Sequence, residues 1–223
     1  MSDTVNSAVT PAATGAPMAA AISVATSLSR LERPLPLRGM HWASTAWWGM
    51  AFLILTEGSL FAYLLFSYFY LASQSSDPWP PTGPPELLKG SISTVLLLSS
   101  SGLAWWGERG IAGGNRRRLS IALAATIVVG MVFLAIQAHE WSTQPFQLSS
   151  SPYSALYFVI TGFHGAHVIV GLLMLLALLV WNLMGRFSKD WRLEVSVGIV
   201  YWHFVDVVWL AVYATLYLSP RLS

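Results

Sequence analysis

The sequence predicts an all-α integral membrane protein, a bundle of five transmembrane helices with its N-terminus inside and its C-terminus outside. Three observations lead there. Of 223 residues, 55% are hydrophobic and only 10% charged, more apolar surface than a soluble domain of this size can bury. From residue 45 onward the apolar residues gather into five stretches near or above the roughly 20 that a helix needs to cross a bilayer. All 12 prolines fall outside those stretches, so each reads as an unbroken helix.

Residues 1–44, rich in Ala, Ser, Thr and Pro, read as a disordered or peripheral tail. Their weakly apolar patch from Ala16 to Leu28 lacks the preceding basic residues of a signal peptide. Residues 45–223 form the membrane domain. Its first span, Thr45 to Ala72, opens on Trp47 and Trp48 and carries Glu57; the second, Leu87 to Trp106, holds a Ser/Thr cluster that reads as packing against a neighbouring helix. The third runs from Leu119 to Trp141 and ends beside His139 and Glu140, at a depth where charge is cheap and a structural role is expected. The fourth, Tyr153 to Met184, holds His164 and His167, and the fifth, Leu193 to Leu218, holds His203 and Asp206. The connections Ser73 to Glu86 and Ser142 to Pro152 are too short for a separate ligand-binding domain.

Sidedness follows from Lys and Arg. Arg30, Arg33 and Arg38 precede the first span, Arg109 and Arg116 to Arg118 flank the second connection, and Arg186, Lys189 and Arg192 lie in the fourth. The other side holds only Lys89 and Arg221, so the positive-inside rule puts the N-terminus in the cytoplasm. Trp47, Trp48 and Arg186 are expected at the lipid interface. A net charge of +2 gives no reason to expect nucleic acid, and the absence of Cys excludes disulfides, iron–sulfur clusters and thiolate copper sites.

Counting inward from the span ends places Glu57, His164, His167, His203 and Asp206 near the membrane midplane. An ionised residue there costs about 2.5 to 3.5 kcal/mol on an insertion scale, so such groups normally pair or face the bundle. Two readings stand. Spacings of three place His164 with His167, and His203 with Asp206, on common helix faces, which could make a metal site. The commoner use of such groups is interhelical hydrogen bonding, helped by small residues such as Gly162, Gly165, Ala166 and Gly171. We expect the second, a structural or proton-related polar layer, with no catalytic or metal-ligand residue in the chain. Glu57 carries two readings of its own, an acid tied to proton supply or oxygen access, and a hydrogen-bond partner for a histidine.

The stretches Phe163-His164-Gly165-Ala166-His167-Val168-Ile169-Val170-Gly171 and Tyr201-Trp202-His203-Phe204-Val205-Asp206-Val207-Val208-Trp209 resemble the two signatures of subunit III of haem–copper terminal oxidases, the cytochrome c oxidase family. Trp79-Pro80-Pro81-Thr82-Gly83, the run from Leu134 to Trp141 and Thr56-Glu57 match in the same order, so the resemblance covers the chain from about residue 45 onward. Many members have seven helices, and the five here resemble the last five. Gly58-Ser59 after Glu57, Ser93-Thr94 at the start of the second span, and Trp181 near the place of a basic lipid-binding residue mark a divergent branch.

The resemblance implies an accessory subunit of a respiratory oxidase, probing no redox chemistry itself but stabilising the oxygen-reducing, proton-pumping core. Its implied partners are catalytic subunit I, subunit II and membrane phospholipid; haem and copper would sit in the partner subunits, with no cofactor in this chain beyond bound phospholipid. The implied location is a bacterial cytoplasmic membrane. Within the superfamily a quinol oxidase or a nitric oxide reductase is the alternative complex. Outside it, the alternative is a free-standing proton or metal-ion permease built on the midplane polar residues. The residues themselves count against a catalytic oxidase subunit, since two haems and a copper need at least six histidines and the chain has 5 in all.

Overall fold

In a computed structural model the described residues are 44–76, 78–81, 83–188 and 191–222. Five helices among them are long and apolar enough to cross a membrane. They are α1 (Thr45–Gln74), α2 (Leu87–Ala112), α3 (Arg116–Thr143), α4 (Pro152–Leu183) and α5 (Leu193–Tyr213). The last continues without a break through a π turn at Ala214–Leu218 and a 3₁₀ turn at Ser219–Arg221. No strand occurs among the described residues.

The helix ends follow local chemistry. Asn115 caps α3 by accepting the backbone N–H of Arg118 at 3.0 Å, and Ser151 and Ser154 form a capping box at the start of α4, where Pro152 occupies the first turn. Gly114, at φ 82°, reverses the chain between α2 and α3 in a left-handed conformation that a side chain would oppose. The predicted spans therefore fall inside the observed helices, which run on by up to six residues where Arg, Glu and Gly continue the turn beyond the apolar core, as at Trp106 to Ala112.

The helices α2, α3, α4 and α5 close a ring in which each packs on the next and α5 returns to α2; α1 lies outside it, against α4 and α5. Over its most apolar 18 residues α5 has 56% of positions buried and α1 only 11%, so α5 is the centre of the molecule and α1 its least enclosed helix. Only Met50, Phe61 and Tyr68 of α1 are buried. Their separations of eleven and seven residues keep them on one narrow stripe of the helix.

One side chain fixes the centre. Trp202 of α5 is fully buried and wedges between α3 and α4: a Cβ added at Gly130 would lie 2.9 Å from its ring, and one at Gly171 also 2.9 Å. Its indole N–H donates to Ser100 Oγ of α2 at 2.9 Å, so one residue engages three neighbours. The α2 face against α5 is stitched along its length, by Ser91 to Tyr213 at 2.8 Å, by Trp209 to Thr94 at 3.0 Å and by Trp202 to Ser100.

The two basic connections meet at one end of the bundle. Arg116 Nε donates to the Phe187 carbonyl at 2.6 Å, and Asn182 donates to the Arg116 carbonyl at 2.9 Å. Arg109 stacks over Trp105 and Arg118 over Trp106 at the same end, with ring-centroid distances of 3.9 and 4.5 Å. At the far end Arg221 donates to the Pro85 carbonyl at 2.5 Å, closing the α1–α2 loop over the end of α5.

Candidate functional site: the intramembrane polar clusters

The residues expected in one midplane layer occupy three separate environments. A step of three residues leaves two side chains about 60° apart around a helix, enough to send neighbours to different interfaces. His167 faces α1, where its Nε2 lies 3.1 Å from Glu57 Oε2. His164, on the same helix, is fully buried among Phe61, Phe133 and Trp209, with ring centroids at 6.4, 5.7 and 5.0 Å. Neither of its ring nitrogens has a hydrogen-bond partner among the described residues. His203 and Asp206 meet on α2 at Ser101.

The Glu57–His167 geometry defines a proton position. His167 Nδ1 lies 2.7 Å from the Phe163 carbonyl oxygen, which can only accept, so Nδ1 carries hydrogen. Its Nε2 then faces Glu57 either as an acceptor from a protonated carboxyl or as the second donor of an imidazolium to a carboxylate. In both arrangements one proton lies between Glu57 Oε2 and His167 Nε2. Glu57 is not enclosed by the bundle: its side chain is 35% exposed and its partner's 14%, which places the pair at the open flank beside α1.

The second cluster is a directed chain. Ser101 Oγ lies 2.7 Å from His203 Nδ1 and also bonds Asp206 Oδ2. A serine hydroxyl has one hydrogen, and with that hydrogen given to Asp206 the oxygen accepts from an Nδ1–H of His203. The Asp206 carboxyl is buried, and its Oδ1 has no partner among the described residues. Ser101 lies within the Ser/Thr cluster expected to bond a neighbouring helix, and α5 is that helix.

A third cluster was not expected. Glu140 is 3% exposed, and its Oε1 accepts the hydroxyl of Tyr217 at 2.7 Å and that of Tyr157 at 3.2 Å; Gln144 donates to Tyr157 at 3.2 Å. Depth alone suggested a solvated interfacial acid, whereas α5 and α4 close over it. The available signal was the spacing of Phe133, Gln137 and Glu140, which marks one face of α3 and all of which are buried. His139, one position away, is exposed.

Trp47 is partly buried, while Trp48 and Arg186 are exposed, Trp48 at the start of α1 and Arg186 in the connection after α4. Among the described residues no three His, Cys, Asp or Glu side chains come together in a way that could hold a metal ion. The polar side chains instead join helices in pairs and threes.

Fold and clusters define an all-helical, multi-pass membrane protein whose buried polar groups bind one helix to another. A family model described as cytochrome c oxidase subunit III matches residues 37–220. Proteins named cytochrome c oxidase subunit 3 are similar to the chain. That of Scyliorhinus canicula is 36% identical over 179 residues, covering 76% of this chain and 68% of its own length. That of Drosophila melanogaster is 34% identical over 177 residues, covering 76% and 68%, and that of Arabidopsis thaliana 33% over 177 residues, covering 76% and 67%. The chain belongs to the cytochrome c oxidase subunit III family. It is accordingly an accessory subunit of a haem–copper oxidase complex of the respiratory chain, and the relationships favour neither the permease nor the other complexes considered.

Proposed function

We propose that the chain stabilises the oxygen-reducing, proton-translocating core of a cytochrome c oxidase by packing beside catalytic subunit I and subunit II, without a redox centre of its own. The observation that carries this reading is the use of its intramembrane polar groups: Glu57 with His167, Ser101 with His203 and Asp206, and Glu140 with Tyr157 and Tyr217 each tie two or more helices. Such groups make a bundle with one defined packing. Haem and copper belong to the partner subunits, and membrane phospholipid is the ligand proposed for the exposed flank of α1. The Glu57–His167 pair, with its single shared proton at that flank, is the part of the chain suited to exchange protons with the complex.

The membrane proposed for it is the bacterial cytoplasmic one, with the basic end inside. Supporting this orientation are the basic residues of the α2–α3 and α4–α5 connections, which share one end of the bundle. Trp47, Trp48 and Arg186 serve there as interface anchors. The test is to tag the chain, extract it from native membranes in mild detergent and record the reduced-minus-oxidised visible spectrum. Haem bands with oxygen consumption are the expected result; a monodisperse, haem-free preparation would overturn the proposed partners.

A further inference from the structure

The side-by-side packing of α3 and α4 leaves a groove of about 330 Å³ open on the flank of the bundle, bordered by Leu134, Gln137, Ala138 and Trp141 on α3 and by Gly165 and Ala166 on α4. It continues past Trp141 toward the far end as a wider apolar hollow of about 690 Å³. A Cβ added at Gly165 would meet nothing within 4 Å, so the chain's own packing does not require this glycine.

Gln137 lines the groove and is 4% exposed, yet neither its Nε2 nor its Oε1 has a hydrogen-bond partner among the described residues. A carboxamide offers donors and an acceptor together, and leaving both unmade in hydrocarbon is costly. An acyl chain supplies neither partner, and a lipid ester carbonyl only accepts. A hydroxyl or carboxamide side chain does both. The small residues Ala138, Gly165 and Ala166 allow the close backbone approach that membrane helices use when they associate.

We propose that this groove docks a membrane-spanning helix of another chain of the oxidase complex, one that places a Ser, Thr, Asn or Gln side chain opposite Gln137. The inference deepens the accessory-subunit reading and rests on it. It assigns a face of the chain and the chemistry of what covers that face.

The experiment installs a photoreactive diazirine residue at Ala138 or Ala166, both exposed, irradiates native membranes and sequences the cross-linked peptides. The expected product joins the groove to one membrane-spanning segment of another chain carrying such a side chain. Gln137→Leu should lower its yield roughly threefold to tenfold, as loss of one interhelical hydrogen bond would. Gly165→Leu should block it while leaving the subunit inserted, because the new side chain enters open space. Adducts confined to lipid or to this chain, or a yield unchanged by Gln137→Leu, would overturn the proposal. The haem spectrum of the same membranes separates the two readings. Haem with lipid adducts only sinks the groove, whereas a helix captured in a haem-free assembly sinks the oxidase partners.

Discussion

His164 and His167 sit three positions apart in one motif, and their environments predict opposite responses to substitution. His167 joins α4 to Glu57 on α1, so His167→Ala removes an interhelical bond and leaves an acid without its partner. Assembly of the complex should fall, with an unchanged haem spectrum in what remains. His164 has no hydrogen bond to lose among the described residues and is packed by aromatic rings, so His164→Leu should retain assembly at or above the parent level, read by the yield of intact complex after heating in detergent. Glu140 gives a second contrast. Glu140→Gln keeps a carbonyl acceptor for the two tyrosine hydroxyls and should cost under about 1 kcal/mol, whereas Glu140→Ala leaves both buried hydroxyls unpaired and should cost about 2 to 4 kcal/mol in the same thermal assay.

At the scale of the helix, α5 owes its place to a shape fit as much as to hydrogen bonds. The Trp202 ring fills space that exists because residues 130 and 171 are glycines on α3 and α4. Substituting Gly171→Leu forces a branched side chain into that ring and should destabilise the bundle by about 3 kcal/mol or more, as overpacking of a close-packed interior does. Gly165→Leu, six residues earlier on the same helix, should be tolerated within about 0.5 kcal/mol because its side chain meets no neighbour in this chain. Thermal loss of the folded subunit in detergent, measured side by side, checks both. The π turn at Ala214–Leu218 belongs to this scale too: it is followed directly by Arg221, whose guanidinium bonds the Tyr217 and Pro85 carbonyls and holds the far-end loop.

For the whole molecule the closed ring of four helices and the outlying α1 are distinct in how they are held. The ring shares Trp202 and the α2–α5 stitches, while α1 depends on a stripe of three buried residues and on Glu57 with His167. Glu57→Gln preserves a hydrogen-bonding group and should insert and assemble normally. Glu57→Lys places a cation against His167, and α1 should then detach from α4. Cysteine pairs introduced across the α1–α4 interface would report this as lost disulfide formation, with no background because the chain has no Cys. Normal assembly of the Lys variant would show that the flank is open to water.

The five spans, the clustering of basic residues at alternate connections and the family were legible in the residues before any coordinates. Hydropathy, charge and motif spacing are properties of consecutive positions, so they survive without knowledge of neighbours. Which polar groups meet was decided only by the tertiary structure. Two side chains at one depth touch only if their helices are turned toward each other, and that rotation is set by packing such as Trp202 between Gly130 and Gly171. The same rotation placed Ser101 between His203 and Asp206, left His164 among aromatic rings, buried Glu140 under two tyrosines, and turned Gln137 into an open groove.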